Sequence, residues 1–351
     1  MTRDNFSAKT KEALADRAGN RCSYPGCNAL TAGPSDEGDE AVSNTGTAAH
    51  ITAAAAGRGA RRYDPDITPE QRASIENGIW CCRLHGTLID TDEVTYSTEM
   101  LKKWRLLAEK RAKIRQAIGD VPLTLHPELM DMGLAPDVLK LESHDDLNSR
   151  IGDAVLHGCV EDIWGPNVGG AIRDFLIECA RNAFTHSRAS SVRISINPSS
   201  IVVLHDGSHF DWTELTGDGA GRGGGMAYRA LLASLRVSTM AIKQHAEGKT
   251  EIHIPLLRDI TKLPMVNPCA IEFNPREDTG TRDIGELTGC NRIYAIYSGY
   301  ASYSDVYLFH EFLRPFKDSD KDVTLILKKP SQGVLEHFQE TFPNFKVEAW
   351  T

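Results

Sequence analysis

Two short cysteine and histidine knuckles constrain this chain more than any other feature. Cys22 and Cys27 flank the turn Ser-Tyr-Pro-Gly, and Cys82 and His85 stand two residues apart in the run WCCRLHG. A tight turn lets two donor atoms face one ion, and two such knuckles supply the four soft or borderline ligands of tetrahedral Zn²⁺. Cys22, Cys27, Cys82 and His85 are therefore the expected zinc ligands, with Cys81 competing with Cys82 for the fourth position. The region is short of apolar residues, so a metal staple would supply folding energy that its own core lacks. The other cysteines, Cys159, Cys179, Cys269 and Cys290, are scattered and read as reduced core thiols rather than a disulfide framework.

At 351 residues the chain is long enough for two or three domains, each burying its own core. No apolar run approaches the ~20 residues that span a bilayer, and the charged opening MTRDNFSAKTKEAL is unlike a secretory signal, so a cytoplasmic protein without membrane association is expected. The net charge of -9 is uneven: residues 1 to 120 hold 17 Lys and Arg against 17 Asp and Glu, and the acidic excess lies beyond them. A global nucleic-acid-binding charge is absent. Locally, residues 101 to 118 carry Lys102, Lys103, Arg105, Lys110, Arg111, Lys113 and Arg115 against the single acid Glu109, a helix that either tracks phosphates or presents a solvated face.

The pattern divides the chain. A helix closed by Gly19-Asn20 precedes the first knuckle, and the polar residues 33 to 48 read as a loop. ITPEQRASIEN suits a short helix with Thr68 as N-cap and Pro69 in its first turn, and a basic helix runs from about 99 to 118. Residues 1–118 form the first module and 119–145 a linker. Residues 146–262 then alternate an amphipathic helix, strands VRISI and IVVLHDG, a glycine-rich loop, a helix and the strand TEIHIPL. Residues 263–351 alternate strand and helix as a small α/β tail, with Tyr297, Tyr300, Tyr303 and Tyr307 as either a binding face or core and rim residues. The expected fold class is thus α+β and multidomain.

In order, RCSYPGC, AAHITAAAAGRGARRYDPDITPEQR and ENGIWCCRLHGTLID resemble HNH-type nucleases with a ββα-metal core, over roughly residues 10 to 110. The resemblance implies His50 as the general base that activates water and Asn77 as a positioning residue. It places His85 on the last zinc ligand and Gly86 where a second histidine would hold catalytic Mg²⁺. Glycine offers no donor atom, and Asp90 and Asp92, one turn further on, are the carboxylates that would take over the Mg²⁺.

A second constellation lies in FLIECARNAFTHSRAS, where Glu178 and Asn182 share one helix face at i and i+4. A carboxylate there can polarise water, and an amide oxygen can hold a phosphate-bridging Mg²⁺. Asp206 and Gly207 end the strand IVVLHDG, and TGDGAGRGGGMAYRALL places six glycines before a helix whose N-terminus can cradle phosphates. Together these elements resemble the GHKL ATPase superfamily over roughly residues 150 to 258. That resemblance implies an α/β sandwich binding ATP, with Glu178 as base, Asn182 on Mg²⁺, Asp206 and Gly207 at adenine, and Gly221, Gly223, Gly224 and Gly225 in a lid. The superfamily's box is D-x-G-x-G, whereas here His205 holds the aspartate position if Gly207 is fixed, so that either Asp206 reaches adenine from a shifted register or the pocket has a changed base preference.

The combined expectation is an ATP-regulated protein, a homodimer by resemblance, acting on nucleic acid, DNA first, through an HNH-like nuclease. Defence against foreign DNA suits the combination by analogy. The alternative is a nuclease-inactive ATP-dependent switch whose zinc module binds DNA or a protein, with the tail as a further protein-binding surface.

Overall fold

The computed structural model of the protein describes residues 3–27, 29–119, 136–197, 199–208, 223–235, 239–257, 259–273, 287–290, 292–317 and 321–350. The chain is a mixed α+β fold in two compact units, residues 1–123 and 124–351. Among the described residues no helix is long and apolar enough to cross a membrane.

The first unit begins with α1 (Ala8–Arg17), whose N-cap Ser7 accepts from the Thr10 amide. The segment expected as a loop instead folds into a hairpin of β1 (Ala32–Pro34) and β2 (Val42–Asn44), then enters β3 (Gly46–His50). Short strands with few apolar residues give little periodic signal. After α2 (Pro69–Arg72), capped by Thr68 in a reciprocal box with Gln71, strand β4 (Gly78–Cys82) pairs antiparallel with β3, setting His50 opposite Gly78 and Thr47 opposite Cys81. β4 runs directly into α3 (Arg83–Ile89), and the basic helix α4 (Thr98–Ile118) closes the unit. β4 is buried on both faces. Ile79 and Cys81 join Ile51, Ile89 and Leu101, while Trp80 joins Phe6, Leu14 and Ala108.

Arg62 stitches this unit together. Its backbone takes a positive φ of 53°, and its buried guanidinium donates to the carbonyls of Ile51 (2.6 Å) and Ile89 (2.7 Å). Those bonds fix the chain leaving β3 against the end of α3.

In the second unit the strand β5 (Asp137–Leu141) lies within the stretch expected as a linker. It pairs with β6 (Val192–Ile196) as the edge of a five-stranded antiparallel sheet that also holds β7 (Ser200–His205), β8 (Ala241–Gln244) and β9 (Thr250–Pro255), in the order β5-β6-β7-β9-β8. Between β5 and β6 come α5 (Leu147–His157), α6 (Val160–Trp164) and α7 (Pro166–Thr185); α8 (Gly223–Ser234) precedes β8. α7 buries Ile172, Phe175, Leu176, Cys179, Ala180 and Ala183, the three-and-four spacing of one helix face, against alternate residues Ile194, Ile201, Val203, Ile252 and Ile254 of the sheet. Full burial pushes the Cys179 thiol up to about 12.

A parallel sheet follows: α9 (Leu263–Val266), β10 (Ala270–Phe273), β11 (Arg292–Tyr297), α10 (Val306–Leu313), β12 (Asp322–Lys328), α11 (Gln332–Thr341) and β13 (Lys346–Trp350), with strand order β10-β11-β12-β13. Ile293–Tyr297 and Val323–Leu327 are almost wholly buried, the continuous apolar pattern of strands covered on both faces. This sheet is tied to the first one by Tyr294 Oη donating to the Met240 carbonyl and Asn267 Nδ2 to the Thr239 carbonyl, both at 2.8 Å. Cys269 and Cys290, expected as reduced thiols, form a disulfide, because both lie at the N-terminal ends of the neighbouring strands β10 and β11. Cys159 and Cys179 are buried and are not disulfide-bonded.

Candidate functional site

The strand-to-helix junction of the first unit builds the metal centre. Cys82 is the N-cap of α3 and His85 lies in its first turn, so the two-residue spacing brings both side chains to one side. Their donors meet the Cys22 and Cys27 thiols, and the four ligand atoms all lie within 4.8 Å of one another. His85 Nδ1 is 3.1 Å from Cys82 Sγ and 3.6 Å from Cys22 Sγ. The Tyr24 ring stacks on His85 at 4.0 Å and meets Trp104 edge-on, an aromatic wall that fixes the imidazole plane. Cys81 is excluded from the ligand set; its side chain is the inward one, fully buried in the core beside Ile79 and Ile89. Its thiol hydrogen-bonds Cys22, holding that thiol down to about 4 and readying it as a thiolate ligand. A Cys₃His set of this compactness is compatible with zinc.

Beside this centre lies a cleft of about 640 Å³, lined by His50, Gly86, Asp90 and four arginines, Arg3, Arg58, Arg61 and Arg83, with a wall of small residues from Ala53 to Ala60. Among the described residues none of the four arginines forms an ion pair with a carboxylate, and Arg61 Nε is buried without a hydrogen-bond partner. His50 ends β3. Its ring stacks on Phe6 at 3.9 Å, only 9° from parallel, and Nε2 lies 3.1 Å from the Asp4 carbonyl oxygen. A carbonyl only accepts, so Nε2 carries the proton and Nδ1 keeps the lone pair. Burial lowers the His50 pKa below the usual imidazole value, leaving the ring neutral at pH 7.

Asn77 does not face the cleft as a free amide. It is buried, and its oxygen accepts from the Thr52 amide (2.8 Å) and hydroxyl (2.6 Å) while Nδ2 donates to the carbonyls of Thr52 and Arg72. Its role is to clip the chain just past His50 onto the start of β4.

The expected Mg²⁺ ligands do not assemble. Gly86 is buried against Thr47, and a Cβ built there would fall under 3.0 Å from the threonine methyl, so that methyl fills the space of any side chain at 86. Asp90 lines the cleft, but its nearest cation is Arg62 at 3.4 Å, and burial raises its pKa against that pull. Asp92 is absent from the cleft lining; its carboxylate accepts the amides of Val94 and Thr95 in a turn. Among the described residues, no second group of three His, Cys, Asp or Glu donors converges. A Mg²⁺ site of three protein donors is therefore not assembled among the described residues, and Asp90 is left as the one carboxylate of the cleft lining. The basic helix is also partly committed: Arg105 pairs with Glu109, Lys103 with Glu99, and Arg111 donates to the Pro25 carbonyl.

In the second unit, Glu178 and Asn182 sit half-buried on α7. Glu178 accepts from Arg181 at 2.8 Å, and a Cβ on Gly223, the first residue of α8, would lie 2.9 Å from its carboxylate. A carboxylate thus occupies the helix end expected to cradle phosphates with Gly223, Gly224 and Gly225. Asp206 is turned away from the helix-covered face. Strand β7 buries Ile201, Val203 and His205, so its alternation gives the inward position to His205, whose Nδ1 accepts the Gly207 amide. Asp206 instead accepts from the amides and hydroxyls of Ser190 and Ser191, and these bonds, the Ser190 hydroxyl foremost, lower its pKa to about 2. Gly207 is required where it stands, since a Cβ would meet the Ala189 amide at 2.9 Å. Gly221 lies outside the described residues.

The four arginines escaped sequence reasoning because Arg3, the 58–61 stretch and Arg83 come from three separate segments; the run GRGARR was the one local signal. No known family, curated protein or solved structure matches the chain.

Proposed function

We propose that the first unit is a zinc-stapled module that grips nucleic-acid phosphates, built on the HNH plan but without that plan's cation site. The cleft carries this reading: four arginines with no carboxylate partner among the described residues converge on a neutral histidine. Guanidinium groups are planar donor forks suited to phosphate oxygens; Arg3, Arg58 and Arg83 are exposed at the cleft, where an anion can reach them, and Arg61 keeps a buried Nε without a partner. The test is fluorescence anisotropy with labelled DNA and RNA oligonucleotides, comparing the protein with Arg58→Glu/Arg61→Glu. Reversal of two charges should weaken binding at least tenfold; unchanged binding would sink the reading.

A second reading keeps metal-dependent cleavage, gated by ATP in a dimer and directed at foreign DNA. The fixed tautomer of His50 favours it, since a base needs its lone pair free. Plasmid cutting with Mg²⁺ or Mn²⁺, dependent on ATP and lost in both His50→Ala and Asn182→Ala, would establish it. For the second unit we propose a nucleotide-responsive module resembling the GHKL plan, supported by Glu178 and Asn182 on α7 beside the start of α8. Equilibrium dialysis of ATP against the protein and Asn182→Ala tests that assignment, and equal retention by both would remove it.

A further inference from the structure

A basic cleft with a histidine base and no third cation ligand raises the question of what chemistry its own residues support. Metal-dependent hydrolysis of a phosphodiester asks the cation to activate water and to neutralise charge as the pentavalent phosphorus forms. Here the cleft offers that cation only His50 and Asp90, because Gly86 contributes no donor, Thr47 fills its space and Asp92 is spent in a turn. Charge neutralisation is nevertheless available from Arg3, Arg58, Arg61 and Arg83, the type of clamp that stabilises transferring phosphoryl groups. What the cleft lacks is an activated nucleophile. One class of substrate brings its own: in RNA the 2′-hydroxyl lies next to the phosphorus, and an intramolecular attack gains the large advantage of a tethered reactant.

Resting on the reading of the cleft as a phosphate site, the geometry points to cation-independent cleavage of single-stranded RNA, with His50 Nδ1 as the general base and the cleft arginines in place of the metal. The 2′-oxygen forms a bond to the adjacent phosphorus while its proton passes to Nδ1. The bond from phosphorus to the 5′-oxygen breaks, and that oxygen takes a proton from solvent water. His50 then returns its proton to solvent. The products are a 2′,3′-cyclic phosphate and a 5′-hydroxyl, a transesterification with no redox change. Asp4 and Phe6 hold the imidazole for this task, the first by fixing Nε2 as the protonated nitrogen and the second by stacking. Burial keeps the ring in its basic form at neutral pH. Asn77, bonded to both ends of Thr52, is a positioning residue for the same histidine.

The experiment uses the full chain with its zinc content measured at each step, in buffer freed of other divalent ions on a chelating resin. A labelled RNA oligonucleotide, its all-deoxy counterpart and a 2′-O-methyl version are each incubated with and without added Mg²⁺. Binding is followed by anisotropy in the same samples. The expected result is RNA cleavage at rates that Mg²⁺ changes by less than about threefold, ending in a cyclic phosphate identified by mass. The deoxy and methylated strands should be bound but intact, and His50→Ala should lose about a hundredfold or more in rate, the usual worth of a general base. His50→Gln, which keeps an amide donor for the Asp4 carbonyl, separates loss of the base from loss of the fold. RNA that binds without being cut overturns this inference and leaves the phosphate-site reading standing. Cleavage that needs Mg²⁺, that proceeds on deoxy strands, or that survives in both His50 variants also overturns it. Failure to bind any strand removes both.

Discussion

Substituting Gly86 with alanine sets two effects of known size against each other. Gly86 lies inside α3, where alanine ordinarily gains about 1 kcal/mol over glycine. Its Cβ, however, would fall under 3.0 Å from the Thr47 methyl, and overpacking of this kind costs roughly 1–3 kcal/mol. The net change in the native background is therefore a loss of between about 0 and 2 kcal/mol. Thr47→Ser removes only the offending methyl, so in that background Gly86→Ala should stabilise by about 1 kcal/mol. The coupling energy of the double-mutant cycle is then about 1–3 kcal/mol. Guanidinium-induced release of zinc from the loaded protein, read with a chromophoric chelator, reports the stability of this unit. A Gly86→Ala change that stabilises equally in both backgrounds would show that Thr47 does not fill the position, and with it would go the physical reason for the missing cation ligand.

Other expectations follow from the same geometry. Cys82→Ala should abolish stoichiometric zinc by elemental analysis, whereas Cys81→Ala, a core residue outside the ligand set, should keep one zinc per chain. Asn77→Ala strands the Thr52 amide and hydroxyl and the Arg72 carbonyl, and should cost about 3 kcal/mol in denaturant unfolding with loss of whatever activity depends on His50. Asp206→Ala should cost about 1 kcal/mol, the low end for lost bonds to a charged group because the carboxylate is exposed. Its folded pKa of about 2 lies below the unfolded value, so this stabilisation is present above the unfolded pKa and is lost as pH falls through 2; a contribution independent of acid titration would contradict the assignment.

Much of this architecture is written locally. The three-and-four spacing of Ile172 to Ala183 marks α7, Thr68 and Pro69 mark the start of α2, and the knuckle spacings mark the metal centre. The period of β7 also decides between His205 and Asp206, since a strand alternates strictly and Ile201 and Val203 face the core. What stayed illegible depends on distant parts of the chain meeting. Cys81 and Cys82 are equivalent in sequence until β4 buries one and α3 turns the other toward Cys22. Arg3 reaches the cleft from the N-terminus, Asp4 and Phe6 of that same stretch fix the distant His50, and the disulfide partners are 21 residues apart. β5 was hidden because Asp137–Leu141 is a short edge strand, with only Leu141 fully buried.

The first unit should meet phosphates through cleft arginines that have no carboxylate partner among the described residues, and the salt dependence of nucleic-acid affinity reads this out. Each phosphate neutralised contributes a slope of about −0.9 in log K against log salt on duplex DNA and about −0.7 on single strands. With three or four arginine contacts, the single-strand slope should be about −2 to −3, and each of Arg58→Ala and Arg61→Ala should reduce it by about one contact's share. A slope near zero, or one that neither substitution changes, would contradict the account.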